Sequence, residues 1–232
     1  MLSPQAVFRE HEAMRILLLG PPGCGKGTQA KLLCKKHGWE HIGTGDLLRE
    51  AMRWQTPVGL RAQPFVDKGN LVPDELVNDL IAERFARSDR PKSFVMDGYP
   101  RTLAQAQAFD GILAQVGMKL DLAILIDVPD GDIVKRVCRR WSCPKLGCKA
   151  TYHAHNNPPI VAGVCNDCGI ALVQRADDSA ETVKARLVVY HKDTERMIPY
   201  YRDQRNFVRI EGNGEVKGVF GCIEKAREAI GT

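Results

Sequence analysis

No stretch of this 232-residue chain comes near the roughly 20 consecutive apolar residues that a membrane-crossing helix requires. The longest apolar runs, Ile16-Leu17-Leu18-Leu19 and Leu122-Ala123-Ile124-Leu125-Ile126, are a quarter of that length or less, so we expect no membrane partner. Internal repeats and low-complexity tracts are also missing. Charge of one sign is scarce: 33 Lys plus Arg against 28 Asp plus Glu leave a formal +5, which suits small anionic partners and is too mild to demand nucleic acid. Residues 1–13 set Arg9 beside Glu10 and Glu12, without an apolar core or a small-residue cleavage pattern, and read as an extension rather than a secretion signal. What is present excludes global disorder, since 44% of residues are hydrophobic and 26% charged. The length supports one α/β domain with an insertion, or two small domains, folded without disulfides.

The apolar runs are short and bounded by turn residues. Met14 to Leu19, Phe94-Val95-Met96, Leu122 to Ile126 and Phe207 to Ile210 read as buried strands, separated by segments of helical period. Strand alternating with helix predicts a parallel sheet covered by helices on both faces. Pro73-Asp74-Glu75 opens one helix, with proline at its entry and acids in the first turn. Asp178 with Glu181 three residues on reads as the cap of a long helix whose apolar face carries Val183, Leu187, Tyr190, Met197 and Ile198, kinked at Pro199.

The residues after the first strand carry the strongest signal. In Gly20-Pro21-Pro22-Gly23-Cys24-Gly25-Lys26-Gly27-Thr28, glycines let backbone N–H groups turn inward onto a phosphate. The following helix presents its positive N-terminus, and Lys26 reaches the terminal phosphates. The loop departs from G-x4-G-K-[ST], because Gly27 follows the lysine and the hydroxyl arrives at Thr28. Strands ending in Asp97 and Asp127 each offer a carboxylate on the magnesium side of such a loop, and the pattern does not choose between them.

Between Trp141 and Gln174 helical period fades, and Cys143, Cys148, Cys165 and Cys168 cluster as C-x4-C-x16-C-x2-C. Two such knuckles suit a tetrahedral, structural Zn2+ in a reducing compartment, with His153 and His155 as alternative ligands. A nucleic-acid-binding module would need aromatics interleaved with basic residues there, and only Trp141 and Tyr152 are at hand.

The phosphate loop resembles that of the nucleoside monophosphate kinases, the adenylate kinase family above all, and the likeness runs from about Met14 to the C-terminus. Gly43-Thr44-Gly45-Asp46-Leu47-Leu48-Arg49 is similar to the family's TGDLLR segment, and Gly69 to Leu76 to its G-x-LVPDEL segment. Asp97-Gly98-Tyr99-Pro100-Arg101-Thr102 with Gln105 is similar to its DGFPRT…Q, with Tyr99 in place of Phe. The resemblance implies Mg2+-dependent transfer from ATP to AMP giving two ADP, by a cytoplasmic monomer; the alternatives within the class are a GTP:AMP phosphotransferase and a UMP/CMP kinase. It implies a core P-loop domain at 14–140 and 175–232, a monophosphate-binding helical segment at 43–72 and a small zinc-bound lid at 141–174.

The resemblance also assigns residues. Gly23, Cys24, Gly25, Lys26, Gly27, Thr28, Arg136, Arg140 and Gly214 would face the donor nucleotide. Thr44, Arg49, Leu71, Val72, Gly98, Arg101, Gln105, Arg175 and Arg186 would face AMP, with Gln105 hydrogen-bonding adenine. Lys26, Arg101, Arg140, Arg175, Arg186 and Asp97 would serve the transfer, Asp97 being the magnesium-associated carboxylate. Asn156 stands where some relatives place an aromatic near the donor base.

Overall fold

The computed structural model describes residues 13–145, 147–148, 150–154, 157–203 and 206–230. The readings made for residues 1–12, His155 and Asn156 lie outside them. Five strands form one wholly parallel sheet in the order β2-β3-β1-β4-β7: β1 (Arg15–Leu19), β2 (Glu40–Gly43), β3 (Phe94–Asp97), β4 (Leu122–Asp127) and β7 (Phe207–Glu211). Both faces of β1 and β4 are buried, the condition under which a parallel strand reads as a continuous apolar run. Alternate residues serve opposite faces: Leu17, Leu19, Met96 and Leu125 enter one core, and Ile16, Leu18, Val95, Ile124 and Ile126 the other.

β2 has no counterpart among the expected strands. Its four residues contain only one large apolar side chain, Ile42, and its pairing with β3 defines it. α2 (Thr44–Arg53) starts directly after it, and α3 (Pro57–Asp67) packs across α2. α4 (Asp74–Ala86) and α5 (Leu103–Gln115) flank β3 in the chain, and α6 (Asp130–Val137) follows β4. Beyond α6 a separate antiparallel pair, β5 (Arg140–Ser142) and β6 (Thr151–His153), builds the small cysteine-bearing unit. Among the described residues no helix is long and apolar enough to cross a membrane.

The long helix expected from Asp178 onward differs in two respects. Its cap is Ser179, whose Oγ accepts from the Thr182 N–H at 3.1 Å, because the Asp178 carboxylate is fully buried against Arg140. The expected single apolar face is also divided. α7 (Ala180–Val189) gives Val183 and Leu187 to one core, and α8 (Glu195–Arg202) gives Met197 to the other. Between them Tyr190–Thr194 form a π-helical turn, with the Glu195 N–H donating to the Tyr190 carbonyl, and Pro199 is accommodated inside α8.

α1 (Lys26–His37) ends in Lys35, Lys36 and His37, basic residues suited to a helix C-terminus, and closes on a left-handed Gly38. Two of them meet α9 (Val216–Glu228) at Glu224, whose Oε1 lies 2.9 Å from His37 Nε2 and whose Oε2 pairs with Lys36. Burial pushes the Glu224 carboxyl up, but the hydrogen bonds from Lys36 and His37 outweigh it and hold it below its ordinary value. A depressed carboxylate contributes stability that is complete above its unfolded pKa of about 4.3 and is lost as pH falls through the folded value. Glu224→Gln should therefore lower Tm near neutral pH, with a gap to wild type that closes as pH is taken down to about 3, read by calorimetric scans across that range.

Candidate active site

The strand order reverses direction on either side of β1, and the crevice beyond the carboxyl ends of β1, β3 and β4 is where such sheets bind ligands. A cleft of about 270 Å³ lies there. It is lined by Gly23 to Thr28, by Arg49, Leu71, Asp97, Gly98 and Arg101, and by Arg136, Arg140, Arg175, Arg186 and Gly214. A smaller adjoining cavity is lined by Thr44, Val72 and Gln105 and shares Arg49, Leu71, Gly98, Arg101 and Arg186 with the cleft. All the nucleotide-site residues anticipated from sequence therefore border two connected hollows, and the four cysteines lie apart from them.

The loop after β1 wraps back over the sheet. Gly23 has φ +80°, and a Cβ there would stand 2.2 Å from a Val137 methyl, so no other residue fits without displacing α6. Lys26 Nζ donates to the carbonyls of Gly20 and Pro21, each at 2.8 Å, and lies 3.6 Å from the Cys24 sulfur. Its ammonium thus rests on the loop it follows. Burial pushes the Cys24 thiol up despite that neighbour, which keeps it neutral. Elsewhere on the cleft wall Arg136 Nη1 donates to the Gly212 carbonyl at 2.8 Å, joining α6 to the turn that carries Gly214.

The two strand-end carboxylates separate cleanly. Asp127 pairs with Arg209 on β7, an exposed contact at the sheet edge. Asp97 faces the phosphate loop, with Oδ2 3.2 Å from the position a Cβ on Gly27 would take. Burial raises its pKa, and the His41 imidazole, 3.5 Å away at Nε2, together with Lys26 outweighs that and keeps the carboxylate ionised. Both ring nitrogens of His41 are buried without a hydrogen-bond partner among the described residues.

Five arginines, Arg49, Arg101, Arg140, Arg175 and Arg186, converge from α2, the β3–α5 turn, β5 and α7 with its approach. Three aspartates answer them. Asp46 accepts from Arg49 Nη2 at 2.7 Å, and Asp177 from Arg186 Nη1 at 3.0 Å. Asp178 takes both arms of the Arg140 fork, Nε at 2.9 Å. Arg101 and Arg175 have no carboxylate partner among the described residues; their Nε atoms donate to the Gly98 carbonyl at 2.8 Å and to Ser142 Oγ at 2.9 Å. Burial, then the repulsion of Arg186 and Arg49, depresses Arg101 to about 10, and burial with Arg49 and Arg140 depresses Arg175 to about 10. Such shifts measure crowded, uncompensated positive charge rather than proton loss.

Sequence reading missed Asp177 and Asp178 as members of this cluster. The available signal is the pair of acids two and three residues after Arg175, of which the cap pattern takes up only Asp178.

In the small unit the four cysteine sulfurs lie within 4.8 Å of one another, with Cys148 and Cys165 Sγ 3.9 Å apart. Tetrahedral zinc with bonds of ~2.3 Å needs sulfur separations of ~3.8 Å, so the donor set fits. The wide C-x4-C spacing is absorbed by a turn in which the Cys148 N–H donates to the Lys145 carbonyl at 3.1 Å. His153 is not among the clustered ligands.

A family profile described as adenylate kinase matches residues 18–206. Among curated relatives, an adenylate kinase of Carboxydothermus hydrogenoformans is 46% identical over 92% of this chain and 99% of its own length. One from Lachnospira eligens is 45% identical over 91% and 99%, and one from Clostridium kluyveri 44% identical over 94% and 98%.

Removing the Asp178 carboxylate leaves the Arg140 guanidinium largely buried without its partner, which costs on the order of 3 kcal/mol. Asp178→Ala should lower Tm by roughly 6–12 °C in thermal unfolding, and a loss under ~2 °C would show that the pair contributes nothing.

Proposed function

The chain belongs to the adenylate kinase family, and from that premise we propose which of its residues carry the family's activity, transfer of a phosphoryl group from ATP to AMP giving two ADP. The observation that supports the assignment best is the placement of the least compensated arginines, Arg101 and Arg175, in one cleft with the phosphate loop. Two anionic substrates supply the charge those cations lack.

In this reading the donor triphosphate lies along the amides of Gly23, Cys24, Gly25, Gly27 and Thr28, and Lys26 leaves the Gly20 and Pro21 carbonyls to meet it. Arg136 and Gly214 flank the donor. The acceptor phosphate sits between Arg49 and Arg101 beside Gly98, and its base enters the smaller cavity among Thr44, Leu71, Val72 and Gln105. Arg140, Arg175 and Arg186 stand over the group in transit, where positive charge stabilises the spreading negative charge of the transition state. Little acid–base work is required, and we assign no general base. Closure of the cysteine-bearing unit excludes water, which would otherwise accept the phosphoryl group.

Asp97 would hold Mg2+, since an ionised carboxylate beside the phosphate loop is the single protein ligand a phosphate-bound magnesium commonly needs. The chemistry magnesium supplies when bound is neutralisation of phosphate charge. Cys143, Cys148, Cys165 and Cys168 would hold Zn2+ in a closed, structural site, which places the protein in a reducing compartment such as the cytoplasm. We take it to act as a monomer.

A coupled assay across AMP, GMP, UMP and CMP should show AMP as the preferred acceptor, and equal use of a pyrimidine monophosphate would overturn the acceptor reading. Lys26→Met should reduce kcat more than tenfold, at least ~1.4 kcal/mol of transition-state stabilisation, with the fold retained. Elemental analysis of protein prepared under reducing conditions should find one zinc per chain. Chelation should unfold the cysteine-bearing unit first, because its sulfur-lined core is separate from the two cores of the sheet. Metal-free protein of unchanged stability would defeat the zinc assignment.

A further inference from the structure

Gln105 is almost wholly buried, at 2% exposure, on the wall of the smaller cavity. Its side-chain amide is held at both ends. Nε2 donates to Asp74 Oδ1 at 2.7 Å, and Oε1 accepts from the Arg101 backbone N–H at 2.7 Å. Asp74 is the first residue of α4, and its other oxygen accepts from Thr102 Oγ1, also at 2.7 Å. That hydroxyl already accepts from the Gln105 backbone N–H at 3.1 Å, so its proton goes to Asp74. Asp74 is therefore an acceptor at both oxygens, and the Arg101 N–H is a donor only.

These partners permit one orientation of the amide. Turned over, Oε1 would face a carboxylate and Nε2 an N–H, acceptor on acceptor and donor on donor. What the fixed amide still offers is one Nε2 proton and one Oε1 lone pair. A 6-aminopurine presents N1 as acceptor and its exocyclic amine as donor, which matches. A 6-oxopurine presents the reverse, O6 as acceptor and N1–H as donor, and would need the amide flipped. We propose that Asp74 is a positioning residue that sets acceptor-base specificity, holding Gln105 in the orientation that takes adenine and rejects hypoxanthine. The proposal rests on the reading that Gln105 faces the acceptor base.

Tyr99 braces the same arrangement. Its hydroxyl donates toward Asn78 Oδ1 on α4 at 2.7 Å and lies 3.2 Å from the Gln105 carbonyl. The oxygen that distinguishes it from phenylalanine thus lies between the helix bearing Asp74 and the helix bearing Gln105, with its one proton given to the former.

The test compares kcat/KM for AMP and for inosine monophosphate in the wild type, Asp74→Asn, Asp74→Ala and Gln105→Ala. A neutral amide at position 74 meets either end of Gln105, and alanine meets neither, which leaves only the Arg101 N–H against the flip, so both Asp74 variants should lower the AMP:IMP ratio by up to about tenfold, mainly through KM. An equal loss on both substrates with the ratio intact would mean that Asp74 only supports the fold, and would overturn the proposal. If Gln105→Ala lowers the ratio and neither Asp74 variant does, the positioning role falls while the base contact stands. If no variant moves the ratio, Gln105 does not read the base and the proposal falls with that reading.

Discussion

Repulsion among Arg49, Arg101, Arg140, Arg175 and Arg186 is the constraint to which the rest of the site answers. Bringing buried guanidinium groups together is unfavourable, and Asp46, Asp177 and Asp178 relieve it only in part. Full compensation would leave nothing for a phosphate to gain. Too little would drive the elements apart. The arrangement tolerates its residual charge because the arginines are spread over several elements, of which α2, the β3–α5 turn and α7 are anchored in the two cores of the sheet, away from the cleft.

That packing was legible where glycine and apolar residues dictate local structure, as in β1, the loop to Lys26 and the run Leu122 to Ile126. It was obscure where tertiary pairing decides. Glu40-His41-Ile42-Gly43 carries no strand pattern of its own and becomes β2 only beside β3. Asp178 reads locally as a cap, the preference of any aspartate ahead of a helix, and Arg140, 38 residues away, captures it instead. Strand pattern left Asp97 and Asp127 equivalent, and only the pairing of Asp127 with Arg209 on β7 separates their surroundings. The amide orientation of Gln105 was beyond sequence for a similar reason, since its partner Asp74 lies 31 residues away.

The cysteine-bearing unit follows another physical rule. Cys143, Tyr152, Cys165 and Leu172 make a core too small to hold together by apolar burial alone, with Cys148 and Cys168 at its margin. Sulfur ligation of a metal would replace the missing hydrophobic stabilisation locally. The spacing of the first cysteine pair is then a loose requirement, because a turn at Lys145 returns the chain to the same point.

The π turn at Tyr190–Thr194 works as a phase shifter. Each residue of an α-helix advances the side-chain direction by about 100°, so the one extra residue in this turn rotates everything after it relative to everything before. Val183 and Leu187 thereby address one side of the sheet, while Met197 and Tyr201, on the same continuous rod, address the other. A chain shortened by one residue between Tyr190 and Thr194 would keep every apolar side chain and yet turn α8 out of its core. Along this stretch residue count is under tighter constraint than residue identity, and evolutionary drift here should accept substitutions far more readily than insertions or deletions.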